Sequence, residues 1–266
     1  PLSEPEIKNI DKKFIVDCLK TGWVSSSGVY LEKFKNRLEK ILKKKYIIPV
    51  INGTSALHLA LIASGIKKNE EVIVPDLSYV SAANAITYLG AVPNFVDIDL
   101  SSYSVCPIKL EKYLKKISKN KKGHLFNIKT KRYIKALILV HVFGYSGEIL
   151  KIKKICKKYN LKLIEDASEC LGSYYKKKHL GTFGDFGVLS FNGNKIITSG
   201  GGGAVISSSK QKANLVEHLS KNSKVKHPWN FFHDSLGYNY KLSNLSAALG
   251  YSQILRLNYF LEKRFK

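Results

Sequence analysis

Apolar positions change their period along this chain. Near the start, Ile7, Ile10, Phe14, Ile15 and Cys18 recur at helical spacing, and so do Leu31, Phe34, Leu38 and Leu42. Between these two predicted helices lies Thr21–Gly28, rich in turn formers and without periodicity. Short continuous apolar runs follow and predict strands at Tyr46–Val50, Glu71–Val74, Asn94–Ile98, Ala136–Val142, Leu161–Glu165, Gly187–Phe191 and Gly203–Ser207. Helical patterns fall between several of them, at Ser55–Ala63, Val80–Leu89, Ile108–Lys116 and Glu148–Lys158. Continuous apolar strands separated by helices predict an α/β fold with a mostly parallel sheet covered on both faces. In such sheets ligands sit beyond the carboxyl ends of the strands. The last segment, Leu242–Lys266, reads as one helix that ends on charge without a closing element. The expectation is that a second, smaller C-terminal domain is largely missing from this sequence.

Composition adds limits rather than a function. The 266 residues can bury a substantial core, and a hydrophobic share of 44% is ordinary for a folded soluble protein. No apolar run approaches the ~20 residues of a membrane span, and Pro1–Pro5 lacks the pattern of a signal peptide. There is no Met, so the true beginning is expected to lie upstream. The four cysteines are far apart, which favours free thiols in a reducing cytoplasm over disulfides or a zinc site. A net charge of +24 is compatible with nucleic-acid binding. However, the positive charge is mostly Lys spread over many segments. Its densest stretch, Lys112–Lys135, lacks the aromatic interleaving of a single-strand binder. A solvated Lys-rich surface is the preferred reading, with neither a nucleic-acid nor a membrane partner expected.

Three stretches carry candidate chemistry. Asn52-Gly53-Thr54-Ser55 lies after a strand and before an apolar helix, where backbone N–H groups and two hydroxyls suit a phosphate. A plain helix cap accounts for it equally well, and no Gly-Lys-Ser/Thr makes it a P-loop. Glu165-Asp166 closes a strand at the crevice end of the predicted sheet, although Asp166 alone reads as a cap. Finally, Ser190-Phe191-Asn192-Gly193-Asn194-Lys195 precedes Gly200–Gly203, a glycine run that lets backbone approach a ligand closely. Together the three fit pyridoxal 5'-phosphate (PLP), which needs a phosphate cradle, an acid beside the pyridine nitrogen and an amine for a Schiff base.

In that order the chain resembles the DegT/DnrJ/EryC1/StrS family of sugar aminotransferases. The resemblance rests on Gly22–Ser26 (GWVSS), Asn52–Leu61 (NGTSALHLAL), Glu71–Ile86, Phe95–Asp99 (FVDID), Val140–Gly144 (VHVFG), Glu165–Gly172 (EDASECLG), Gly184–Gly203 and Gly237–Gln253. It implies a fold-type I PLP-transferase with residues 1–45 as an N-terminal helical segment, 46–236 as the large cofactor domain, and 237–266 as an interface turn and the start of the C-terminal part. It also implies that Lys195 is the Schiff-base lysine and Asp166 the acid at the pyridine nitrogen. Tyr79 would cover the cofactor face. Gly53, Thr54, Ser55 and Ser190 would hold the phosphate, and Glu169 would stand near the phenolic oxygen. Asn239 would reach the phosphate in a second subunit, making a homodimer with shared sites.

The implied activity is cytoplasmic transamination of a nucleotide-linked keto sugar, with L-glutamate as donor, for bacterial surface polysaccharide such as lipopolysaccharide. The motifs look most like enzymes aminating C4 of UDP-linked 4-keto-6-deoxy-HexNAc sugars, or GDP-perosamine synthases. A dehydratase of the same family would carry His in place of Lys195. A non-catalytic protein on this scaffold would have no need of Lys195, Asp166 and the phosphate loop together. Ser168 departs from the Ala usual beside the acid.

Overall fold

The computed structural model describes residues 4–264. Seven strands form one continuous row: β1 (Ile47–Val50), β2 (Glu71–Pro75), β3 (Val92–Val96), β4 (Tyr133–Val140), β5 (Lys162–Asp166), β6 (Phe186–Ser190) and β7 (Gly203–Ser207). Their spatial order is β1-β7-β6-β5-β4-β2-β3. Only β7 runs against its neighbours; β6, β5, β4, β2 and β3 pair in parallel. The mostly parallel sheet expected from the apolar runs is therefore present.

Strand residues alternate between two cores, because successive side chains leave opposite faces of a sheet. Leu137, Leu139 and Leu163 join one core with α2 (Val29–Leu42), α5 (Pro107–Ile117), α6 (Ile149–Lys158) and α8 (Asn244–Leu255). Ile138, Ile164 and Val188 join the other with α3 (Gly53–Ala63), α4 (Ser81–Thr87) and α7 (Lys210–Ser220). Eight of the eleven α3 residues are buried. That helix is apolar all round because it lies between the sheet and its helical neighbours.

Several expectations change. The segment Leu242–Lys266 is not one helix: α8 stops at Leu255, Arg256 is non-helical, and α9 (Leu257–Arg264) begins anew. The apolar stripe predicted around α1 (Asn9–Thr21) does not face a core throughout, since Ile10 and, just before the helix, Ile7 are exposed while Asp11 is fully buried. Asp11 bonds to Arg256 Nη2 at 2.8 Å and Gln253 Nε2 at 3.2 Å and also to the Ser252 hydroxyl, which fastens α1 to the α8–α9 junction. By contrast, Leu31, Phe34, Leu38 and Leu42 of α2 are all buried. The Lys-rich stretch contains an unanticipated antiparallel hairpin, Ser118–Lys121 with His124–Asn127, whose second strand pairs with the start of β4. Its two turn residues, Lys122 and Gly123, have φ of 54° and 77°, as a type I′ turn requires. The four cysteines are free. Among the described residues no helix is long and apolar enough to cross a membrane.

Candidate active site

The carboxyl ends of β4, β5 and β6 and the start of α3 open on one cleft of ≈ 650 Å³, within the usual range for a small-molecule site. One wall is the Asn52–Ser55 turn. Asn52 is the cap of α3, and its Oδ1 accepts the Ser55 N–H at 2.7 Å. The first N–H groups of a helix have no acceptor within it, so those of Gly53 and Thr54 remain for a ligand. Both residues line the cleft. Gly53 sits tightly against β6: a Cβ there would stand 3.1 Å from Ser190 Cβ and 3.4 Å from Ser168 Oγ.

The glycine run serves this wall rather than the ligand directly. A Cβ on Gly203 would lie 2.6 Å from the Asn52 carbonyl carbon and 2.8 Å from Gly53 N. The bare backbone of β7 is what lets the Asn52–Gly53 turn settle over the sheet.

Asp166 ends β5 and is 6% exposed. Its Oδ1 accepts the Ser168 hydroxyl at 2.6 Å and the Ser168 N–H at 3.2 Å. Burial pushes its carboxyl above the usual range, opposed by the Ser168 bonds and then by the charge of Lys195. The departure at Ser168 is thus a direct contact with the acid. The preceding residue, Glu165, faces the other way and is wholly buried. It accepts the N–H groups of Gly181, Phe183 and Gly184 at 2.8, 2.6 and 2.6 Å, and His141 Nε2 lies at 3.1 Å.

Lys195 follows β6 in a turn closed by Lys195 N–H to the Asn192 carbonyl and by Ser199 N–H to the Phe191 carbonyl. Phe191 anchors this turn, fully buried and edge-on to Phe34 with ring centroids 5.1 Å apart. The Lys195 side chain is 16% exposed, and its Nζ meets Glu169 Oε1 at 3.0 Å. Tyr79 also lines the cleft, 78% exposed.

The cleft therefore brings together Gly53, Thr54, Tyr79, Asp166, Glu169, Ser190 and Lys195. Ser55 is buried behind the turn, and the exposed Asn239 lies outside this cleft, bridged to Lys221. Sequence reasoning did not single out His141 or Phe143, which also line it. Both lie in the VHVFG stretch, which overlaps the end of the predicted strand Ala136–Val142 and carried the family resemblance without a role for either residue.

A helix-start turn with free N–H groups, a buried carboxylate and a lysine amine meet at the carboxyl edge of this sheet, the set of groups a PLP-dependent enzyme needs. The arrangement fits the cofactor: free first-turn N–H groups and the Ser190 hydroxyl suit its phosphate, and a buried carboxylate suits a protonated pyridine. The chain belongs to the DegT/DnrJ/EryC1/StrS aminotransferase family, whose profile matches residues 5–266. It is 36% identical over 264 residues to GDP-perosamine synthase of Escherichia coli O157:H7, covering 99% of this chain and 68% of the relative. It is 36% identical over 242 residues to a UDP-4-amino-4,6-dideoxy-N-acetyl-beta-L-altrosamine transaminase of Campylobacter jejuni, covering 91% and 60%. Among solved structures, Helicobacter pylori PseC, an aminotransferase involved in the biosynthesis of pseudoaminic acid, matches with a TM-score of 0.85 at 27% identity, covering 97% of this chain and 66% of that one. The chain thus spans about two thirds of the length of these relatives.

Proposed function

We propose that this chain transfers an amino group from L-glutamate to C4 of a nucleotide-linked 4-keto-6-deoxy sugar, in the cytoplasm, for surface glycan synthesis. The observation that carries the reading is the convergence of Lys195, Asp166 and the Gly53–Thr54 turn on one cleft. GDP-perosamine synthases from three organisms, 33–38% identical, and the C. jejuni transaminases support the sugar class. The presence of Lys195 argues against the dehydratase alternative.

PLP, when bound, supplies an electron sink that acidifies the amino-bearing carbon of the donor. Gly53 and Thr54 N–H groups with the Ser190 hydroxyl would hold its phosphate. Asp166, ionised, would keep the ring nitrogen protonated, since an opposite charge favours the charged form. The Lys195 amine would hold the cofactor at rest. Once released, it would take a proton from the donor's Cα and return one to the acceptor carbon in the second half-reaction. Tyr79 would cover the ring, and Glu169 would orient the lysine.

We also propose a homodimer in which Asn239 of each copy completes the phosphate site of the other. In that arrangement residues 1–45, 46–236 and 237–266 act as helical segment, cofactor domain and interface segment.

The test is direct. Purified protein with PLP should absorb in the visible and aminate a member of a GDP-, UDP- and dTDP-keto-sugar panel with glutamate. Lys195→Ala should lose both properties together. Normal turnover in that variant would remove Lys195 from the mechanism.

A further inference from the structure

One residue of the cleft has a backbone that its side chain does not favour. Phe143 lies at φ 53°, ψ 20°, the left-handed region that aromatic residues rarely adopt. Among the described residues no apolar packing offsets that conformation, because Phe143 is 72% exposed on the cleft wall. The backbone is held in place by polar contacts instead. The Phe143 N–H donates to Glu169 Oε2 at 2.8 Å, while the other oxygen of the same carboxylate meets Lys195 Nζ at 3.0 Å. The next residue, Gly144, also in the left-handed region, packs so closely that a Cβ would stand 3.1 Å from the Glu169 carbonyl oxygen. One carboxylate therefore fixes the position of the reactive amine and of an exposed aromatic ring together. A strained residue held by its surroundings in a cleft points to a role in that cleft.

We propose that Phe143 is a specificity-determining residue whose ring forms the apolar wall for the hexose of the sugar nucleotide, and that Glu169 is its positioning residue. This rests on the sugar-nucleotide reading above. A 6-deoxy hexose has an apolar C–H face and a methyl group, which suit a flat ring better than a polar wall. Tyr79, the other exposed ring of the cleft, is assigned to the cofactor. Among the described residues that line the cleft, Phe143 is the remaining exposed phenyl ring.

The experiment measures the affinity that the hexose adds, by calorimetry on the PLP-loaded full-length protein with GDP-mannose against GDP and UDP-N-acetylglucosamine against UDP. The wild type should bind at least one sugar nucleotide more tightly than its bare diphosphate. Phe143→Gly suits the left-handed backbone, so it should keep the fold and the visible absorbance of bound PLP. It should erase about tenfold of the hexose increment and leave the diphosphate affinity in place. Glu169→Ala should lose the increment too, whereas Glu169→Gln, which keeps an acceptor for the Phe143 N–H, should restore it. An increment that survives Phe143→Gly overturns the proposal, as does a wild type with none. A change of oligomeric state in Phe143→Gly without loss of the increment would assign the ring to a subunit contact instead. If the increment is present and lost as expected but no keto sugar is aminated, the transaminase reading fails and the assignment of Phe143 stands.

Discussion

Glu165→Gln offers a sharp test of how the scaffold behind the cleft is held. The native carboxylate is wholly buried and accepts four donors, two on each oxygen: Phe183 and Gly184 N–H on Oε1, Gly181 N–H and His141 Nε2 on Oε2. Glutamine has the same shape but only one accepting oxygen, so its NH₂ must face two donors whichever way it turns. Two hydrogen bonds to a charged group are lost, each worth roughly 1.5–3 kcal/mol. The expected destabilisation is therefore about 3 kcal/mol or more, a change of two decades in the folding constant. Its pH dependence follows from the carboxylate. Burial raises the Glu165 pKa, but His141 and the Gly184 and Gly181 N–H groups outweigh that and hold it below the usual carboxylate range. A group whose folded pKa is depressed stabilises fully above its unfolded pKa and loses that contribution as pH falls through the folded value. Urea melts at pH 7 and at pH 4 and below should show a wide gap between wild type and variant that narrows in acid. Equal stability at pH 7, or a gap that widens in acid, would refute the reasoning.

Three further outcomes concern the site itself. Asp166→Asn should retain some PLP by absorbance but slow turnover by on the order of 10²-fold or more, because a neutral partner no longer holds the ring proton; an unchanged rate would mean another group protonates the ring. Ser168→Ala removes the hydroxyl that opposes the burial-raised pKa of Asp166, so the carboxyl should rise further and PLP affinity should begin its acid decline at higher pH. A spectrophotometric titration reads this, and a decline that stays or moves to lower pH contradicts it. For Asn239, a Lys195→Ala chain mixed with an impaired Asn239→Ala chain should regain activity on subunit exchange, since one site of each heterodimer is intact; heterodimers without recovery would place Asn239 outside any shared site.

The sheet was legible because β2, β4, β6 and β7 are buried strands with few polar interruptions, and their edges came out within a few residues. The hairpin was not. Its first strand, Ser118–Lys121, contains no apolar residue and pairs on one side only, so nothing in its hydrophobicity marked it, and its turn depends on left-handed Lys122 and Gly123. The helix Lys210–Ser220 has a local signal in its cap, where Ser209 accepts the Lys212 N–H, but only a sparse apolar face. The burial of Asp11 was beyond any local reading, because its cationic partner is Arg256, at the far end of the chain. In the site, Lys195, Asp166 and the Asn52–Ser55 turn were legible as ordered motifs. The identity of the cap was not, since Asn, Thr and Ser all suit that position, and only the structure assigns it to Asn52.

The adjacent carboxylates of β5 show why sequence spacing alone undersold this region. A strand sends consecutive side chains to opposite faces, so Glu165 pairs with the row of Leu139 and Asp166 with that of Val140. A one-residue slip in register would exchange them. Their environments are opposite in kind as well. Glu165 has four protein donors, and its charge is stabilised within the fold. Asp166 has only Ser168, on one oxygen; no donor among the described residues reaches Oδ2, and burial leaves its charge costly. A carboxylate left so incompletely satisfied gains most from a cationic donor arriving from the cleft, such as a protonated ring nitrogen. The same backbone thus makes one acid a rigid brace for the loop Gly181–Gly184 and holds the other ready for a ligand. The brace also fixes His141 and, two residues on, the wall that carries Phe143.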